Sequence, residues 1–269
     1  PDPCWSNYMG EIHTAGGRAV PARTYKDDRF HLKASTVKSL LTEKTKVLFL
    51  NTPSNPTGAV LDMADLKEIA ALAIDHDLTV VSDEPYEKLV YDGRRHISIG
   101  SLPGMAERTL TVNSFSKAFA MTGWRVGYIH GPVEAVAAMV KLHESFSSCA
   151  NSAAQFAAVE AMQEGAAATA AMVESYRKRR DLLVEGLNTI PGVECLLPEG
   201  AFYAFPDFSS FGKSSADMAM DLLTQAKVVA VPGDAFGAAG EGFLRMCYAA
   251  SEETLEKAVA RIRKYLAGL

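Results

Sequence analysis

Lys46-Val47-Leu48-Phe49-Leu50-Asn51-Thr52-Pro53-Ser54-Asn55-Pro56-Thr57-Gly58 sets the pattern for most of the chain. Its apolar run, Val47 to Leu50, has the length of a buried strand, and the prolines and glycine that follow make 51–58 a rigid turn rather than more strand. Asp62 then stands where a helix N-cap belongs. Leu66, Ile69, Ala70, Ala73 and Ile74 recur after it at helical spacing on one face, with an end near His76. Short apolar runs return at Thr79 to Ser82, Thr109 to Asn113 and Arg125 to His130, each closed by polar or glycine-bearing residues. Strands alternating with helices predict an α/β fold with a mostly parallel sheet sandwiched by helices.

Beyond Pro132 the pattern turns helical. The alanine-rich stretch from Ala150 to Ala171 reads as packed helix rather than flexible tether, and Arg177-Lys178-Arg179-Arg180 reads as the solvated face of a long connecting helix. Alternation then resumes: Ala201 to Phe205 as strand, a helix bearing Ala219, Leu222, Leu223 and Ala226, further strands at Val228 to Val231 and Phe243 to Cys247, and a last helix. The expected organisation is a large domain over 1–168 and a smaller C-terminal α/β domain over 169–269, entered by the connecting helix.

Composition narrows the function. With 48% hydrophobic and 22% charged residues in 269, the composition is that of an ordinary globular protein and does not suggest disorder. A net charge of −5 offers no basic surplus for a polynucleotide. Cys4, Cys149, Cys195 and Cys247 lie far apart with no CxxC pair, which argues against a disulfide framework or zinc site and for a reducing cytoplasm. The histidines lack metal-ligand spacing, so no metal is expected, and His76, His96 and His143 read as surface or loop residues. No stretch has the length and apolarity of a membrane span, and no signal peptide is visible. Pro1-Asp2-Pro3-Cys4-Trp5 reads as the middle of a loop, so the chain is expected to be part of a longer protein.

In open α/β sheets ligands lie outside the carboxyl ends of the strands, so Asn51 to Gly58, Asp83 to Tyr86 and Ser114 to Lys117 are expected to converge on one crevice. Ser114, Ser116 and Arg125 supply hydroxyls and a guanidinium for a phosphate, with Gly123 and Gly127 allowing close backbone approach. A lysine near phosphate and other cations tends toward the neutral amine that attacks an aldehyde, which makes Lys117 a candidate Schiff-base residue. Asp83 is placed to pair with a protonated ring nitrogen, while Tyr86 and Asn55 offer donors to a phenolic oxygen.

Four motifs carry a family resemblance. Asn55-Pro56-Thr57-Gly58, Asp83-Glu84-Pro85-Tyr86, Ser114-Phe115-Ser116-Lys117 and Gly123-Trp124-Arg125-Val126-Gly127 occur in the order and spacing of the aspartate-aminotransferase-like family, class I/II aminotransferases of pyridoxal-phosphate fold type I, which the chain resembles along its length. The resemblance implies pyridoxal 5'-phosphate as cofactor, held by Lys117 as a Schiff base. Asp83 is implied on the pyridine nitrogen, Asn55 and Tyr86 on the phenolic oxygen, and Ser114 and Arg125 on the phosphate. It also implies Arg245 on the substrate α-carboxylate and Trp5 near the cofactor ring, with Trp5 and Asn55 joining Arg245 as substrate-binding residues. Residues 1–168 become the cofactor-binding domain. Transamination between an L-amino acid of aspartate or aromatic type and a 2-oxo acid such as 2-oxoglutarate follows, in a homodimer. A carbon-sulfur lyase of the same fold and a non-catalytic sensor domain carry similar motifs and stay open. Members of the family carry further residues before the position of Pro1, so activity is expected of the longer protein.

Overall fold

The computed structural model describes residues 1–268. Its elements in chain order are α1 (Asn7–Thr14), α2 (Ala34–Leu40), β1 (Val47–Asn51), α3 (Met63–Asp75), β2 (Thr79–Asp83), β3 (Thr109–Ser114), α4 (Phe115–Ala118), β4 (Gly127–His130), α5 (Val133–Ser147), α6 (Ser152–Glu164), α7 (Ala166–Asn188), β5 (Tyr203–Ala204), α8 (Ser215–Asp221), β6 (Val231–Pro232), β7 (Leu244–Cys247) and α9 (Glu252–Leu266). The chain divides into two compact units. The first joins Pro1–Leu32, Ser54–Ala59 and Glu174–Leu269; the second joins Lys33–Pro53 and Val60–Val173. Where a cut at 168/169 would divide the sequence once, these units interleave, and the boundary between them falls inside α7.

The second unit holds a four-stranded sheet in the order β1-β2-β3-β4. β1, β2 and β3 are parallel, and β4 returns antiparallel against β3. A parallel return needs a long crossover; α3 provides one between β1 and β2, whereas only the single turn of α4 and a 3₁₀ turn separate β3 from β4. The expected strand at Arg125 to His130 starts at Gly127 because Arg125 is left-handed, at φ 53°, and turns the chain there. Asp62 caps α3 as expected, accepting from the amides of Ala64 and Asp65. Leu66, Ile69, Ala70 and Ala73 are buried along its inner face, and Ile74, at its edge, is 41% exposed. Ala154 and Ala158 of α6 are buried with Phe115, Met121 and Val126, so part of the alanine enrichment is core.

The first unit carries the three-stranded antiparallel sheet β5-β7-β6. Its strands are shorter than the apolar runs suggest. Ala201 and Lys227 adopt left-handed backbone, at φ 60° and 55°, which ends regular pairing at the expected strands over Ala201 to Phe205 and Val228 to Val231. The helix after Ser214 closes in a π turn at Leu222–Ala226, leaving Leu223 exposed at 44%. The basic run is not a uniformly solvated face. Four consecutive residues on a helix point in four directions, and Arg180 shares the inward direction with buried Leu183, Val184 and Leu187. It is 1% exposed and donates from Nη1 to the Pro198 carbonyl at 2.9 Å and from Nε to Asp181 Oδ1 at 2.8 Å. Phe30, Ala59, Phe205 and Phe236 form a cluster in this unit, with Trp5 packed against it.

Candidate active site

In the second unit, register sets Asn51, Asp83 and Val112 side by side, so the carboxyl ends of three parallel strands form one edge. Asn51 Nδ2 donates to the Asp83 carbonyl at 3.0 Å and lies 3.4 Å from Asp83 Oδ2. The amide of Thr52 reaches the same carbonyl at 3.3 Å. Thus the carboxylate at the end of β2 is steadied by the neighbouring strand. One strand over, Ser114 caps α4 by accepting from the Ser116 amide at 3.1 Å, and its own O–H hydrogen remains for another acceptor. Lys117 follows within α4; its Nζ lies 6.0 Å from the centre of the Tyr86 ring, which is buried at 4% exposure.

Arg125 anchors one Nη1 hydrogen on the Thr122 carbonyl at 3.0 Å. Arg125 and Gly127 line a cavity of about 820 Å³ together with Trp124, His143 and Asn151; Lys117, Asp83 and Tyr86 are not among its walls. The two glycines of the motif differ. A Cβ on Gly127 would stand 2.7 Å from the Asn113 carbonyl oxygen, so the β3–β4 approach requires glycine there, while one on Gly123 would meet nothing within 4 Å.

The remaining expected residues lie in the first unit. Arg245, on β7, donates from Nη1 to Asn55 Oδ1 at 2.9 Å, and its guanidinium sits 4.5 Å from the Tyr203 ring centre and 4.7 Å from that of Phe236. Cation–π contact with two rings helps hold the guanidinium in place. Asn55 is itself fixed: Ser54 to Ala59 closes through the Gly58 amide on the Ser54 carbonyl at 3.0 Å, and Gly58, at φ 72°, accepts from the amides of Glu199 and Gly200, both at 2.9 Å. A Cβ on Gly58 would fall 2.6 Å from that of Pro198. Trp5 packs against the cluster that contains Phe236.

Sequence reasoning did not single out Asn51, Tyr203 or Phe236. Asn51 could have been found as the polar residue closing a strand beside Asp83's; the aromatic clamp on Arg245 comes from distant positions, with no local signal. His96, read as a surface or loop residue, lies in a loop but its side chain is only 7% exposed, with Nε2 2.8 Å from Glu84 Oε2. The burial comes from that carboxylate, which the sequence does not connect to it.

The family model for aminotransferase class I and II matches residues 1–262. An aspartate aminotransferase of Pyrococcus abyssi is 44% identical over 99% of this chain and 69% of its own length, and an aromatic-amino-acid aminotransferase of Thermococcus litoralis gives the same figures. The crystal structure of an aromatic aminotransferase from Pyrococcus horikoshii superposes with a TM-score of 0.98 at 43% identity, over all of this chain and 72% of that one. The chain belongs to the class I and II aminotransferase family, and the enzyme activity of that family is aminotransfer. Among the described residues no helix is long and apolar enough to cross a membrane.

Proposed function

We propose that the protein carries pyridoxal 5'-phosphate on Lys117 and transfers an amino group from an L-amino acid of aspartate or aromatic type to a 2-oxo acid such as 2-oxoglutarate. The observation that carries this reading is the edge of the parallel sheet, where an amine, a phenol and an anchored carboxylate sit at the ends of β2 and β3. The donor set suits such a cofactor: Asp83 for a ring N–H, Tyr86 and Asn55 for a phenolic oxygen, and Ser114 with Arg125 for a phosphate. Trp5 is assigned to the neighbourhood of the ring. When bound, the cofactor supplies the electron sink that makes the substrate Cα proton acidic.

The chain's own residues do the rest. Arg245, with Asn55 beside it, grips the α-carboxylate and orients the Cα–H bond. With the cofactor bound, Lys117 would take the proton from the substrate Cα and hold it for return during aminotransfer. Asp83 keeps the ring nitrogen protonated. The substrate classes follow the names of the aspartate and aromatic relatives. Exposed apolar side chains on α5 and α6, among them Phe146 at 85% and Phe156 at 79%, support a homodimer, and a cytoplasmic enzyme fits the widely spaced thiols.

The test is a visible spectrum of the natural full chain with cofactor, before and after a panel of amino acids. Conversion of the band by an amino acid, reversed by a 2-oxo acid, is expected. Release of pyruvate and ammonia from a cysteine-type substrate without an acceptor would instead establish the lyase, and failure of the band to form would overturn the cofactor reading.

A further inference from the structure

Side chains alternate along a strand, so Asp83 and the residue after it, Glu84, face opposite ways. Ser82 shares the side of Glu84 and donates its hydroxyl to Glu84 Oε1 at 2.7 Å. Ser98 donates to the same oxygen at 2.9 Å, and His96 Nε2 meets Oε2 at 2.8 Å. The Glu84 side chain is 1% exposed. A carboxylate has thus been taken wholly out of water behind the strand end, with three side-chain donors directed onto its two oxygens. An apolar residue would pack there at lower electrostatic cost; what directed donors add is a single orientation.

That orientation is passed to the residues on either side. The Glu84 amide donates to the Val112 carbonyl of β3 at 2.9 Å, and the Glu84 carbonyl accepts from the Glu87 amide at 3.1 Å, closing the turn that carries Tyr86. One residue before Glu84 is Asp83, and two after it is Tyr86. Other ionisable neighbours are Glu87 and Tyr128; burial pushes the Tyr128 phenol up, and the negative charges of Glu87 and Glu84 add to it. His96 Nδ1 is buried and has no hydrogen-bond partner among the described residues, so the ring's polar contact there is the one to Glu84.

We propose that Glu84, held by His96, Ser82 and Ser98, is a positioning residue of the reaction: it sets the aim of the Asp83 carboxylate and the Tyr86 hydroxyl without touching cofactor or substrate. The proposal rests on the cofactor contacts assigned above to Asp83 and Tyr86. Misplacing a catalytic group by about an ångström costs up to roughly a hundredfold, and loosening the strand end is expected to cost about a tenth of that, roughly tenfold in kcat, with little change in KM.

The experiment measures, in the natural full chain, the pyridoxal phosphate dissociation constant, the pH midpoint of the visible band, kcat and KM, and the melting temperature. Glu84→Gln and His96→Phe are expected to weaken cofactor binding and move the band midpoint. His96→Gln keeps a donor of similar reach and stays close to wild type. Ser98→Ala, the mildest change, shifts the same readouts by less, and decides the question if Glu84→Gln does not fold. Lower melting temperatures with an unmoved midpoint and unmoved dissociation constant would reduce the network to a structural role and overturn the proposal. Failure of the wild type to form a Lys117-dependent band is a separate outcome, which removes the cofactor reading beneath it.

Discussion

Lys117 lies in the short helix α4 at a strand's carboxyl edge, its Nζ 6.0 Å from the Tyr86 ring centre at the end of a four-carbon stem. Arg245 lies within β7, its guanidinium 4.5 Å from the Tyr203 ring centre and 4.7 Å from that of Phe236, with Nη1 donating to Asn55 Oδ1. Both carry nitrogen beside aromatic rings, but Lys117 Nζ lies 6.0 Å from one ring centre whereas the Arg245 guanidinium lies within 5 Å of two. Under the roles proposed above, Lys117 must move as a bond is made and broken, whereas Arg245 works by holding a bidentate fork still.

The comparison breaks most directly at Lys117. Lys117→Ala is expected to lower turnover by roughly 10⁴-fold, since no neighbouring group replaces a positioned base; steady-state assay of the natural full chain checks it, and a variant with unchanged turnover refutes the assignment. Arg245→Lys preserves charge but not the planar fork. Its amino-acid KM is expected to rise about tenfold to a hundredfold, from the loss of one charge-assisted hydrogen bond, with the cofactor band unaltered. An unchanged KM would mean that the clamp does not read a carboxylate.

Two buried carboxylates sharpen the contrast further. Glu199 in the first unit accepts from Arg29 Nε at 2.9 Å and meets His31 Nε2 at 2.9 Å, while Glu84 in the second has His96 and two serine hydroxyls. Glu199 adjoins the anchor of the Gly58 turn within the first unit. Glu199→Gln is therefore expected to lower stability by about 1–3 kcal/mol, read by denaturant unfolding, and to leave the pH midpoint of the cofactor band in place, unlike Glu84→Gln.

The smallest effect concerns how the Arg245 strand is braced. Asp207 bridges to Phe243, next to β7, and is held by Lys26 Nζ at 2.8 Å. Burial alone would push Asp207 up, but the hydrogen bonds from Lys26 and Ser209 prevail and hold it below its usual 3.8. Burial likewise opposes, and the bonds to Asp207 and Glu194 outweigh it, so that Lys26 stands above its usual 10.5. A lowered carboxylate stabilises the fold above its unfolded value and loses that contribution as pH falls through its folded value. A raised lysine stabilises below its unfolded value and loses it as pH climbs through its folded one. Asp207→Asn is expected to cost about 0.5–1 kcal/mol near neutrality. The gap to wild type should close below 3.8 and, through Lys26, above 10.5; a gap independent of pH in thermal melts would show that the ion pair contributes nothing.

The chain's local chemistry fixed a good deal in advance. Apolar runs long enough for strands, Asp62 as a cap and the Pro–Gly turn at 53–58 required a β/α alternation, because strand and helix periods are written in neighbouring residues. The expectation that polar residues after those runs matter was legible too, since strand ends are where such sheets meet ligands, and the fold sets Asp83 at the end of β2 and Lys117 near Tyr86. The folded chain decided the rest: that Arg125 turns left-handed and delays β4, that Arg180 enters the core instead of solvent, that Tyr203 and Phe236 flank Arg245, and that His96 lies against Glu84. These facts depend on residues far apart in the chain meeting at a few ångströms. Periodicity records which way a side chain faces along its own element but not what it meets there.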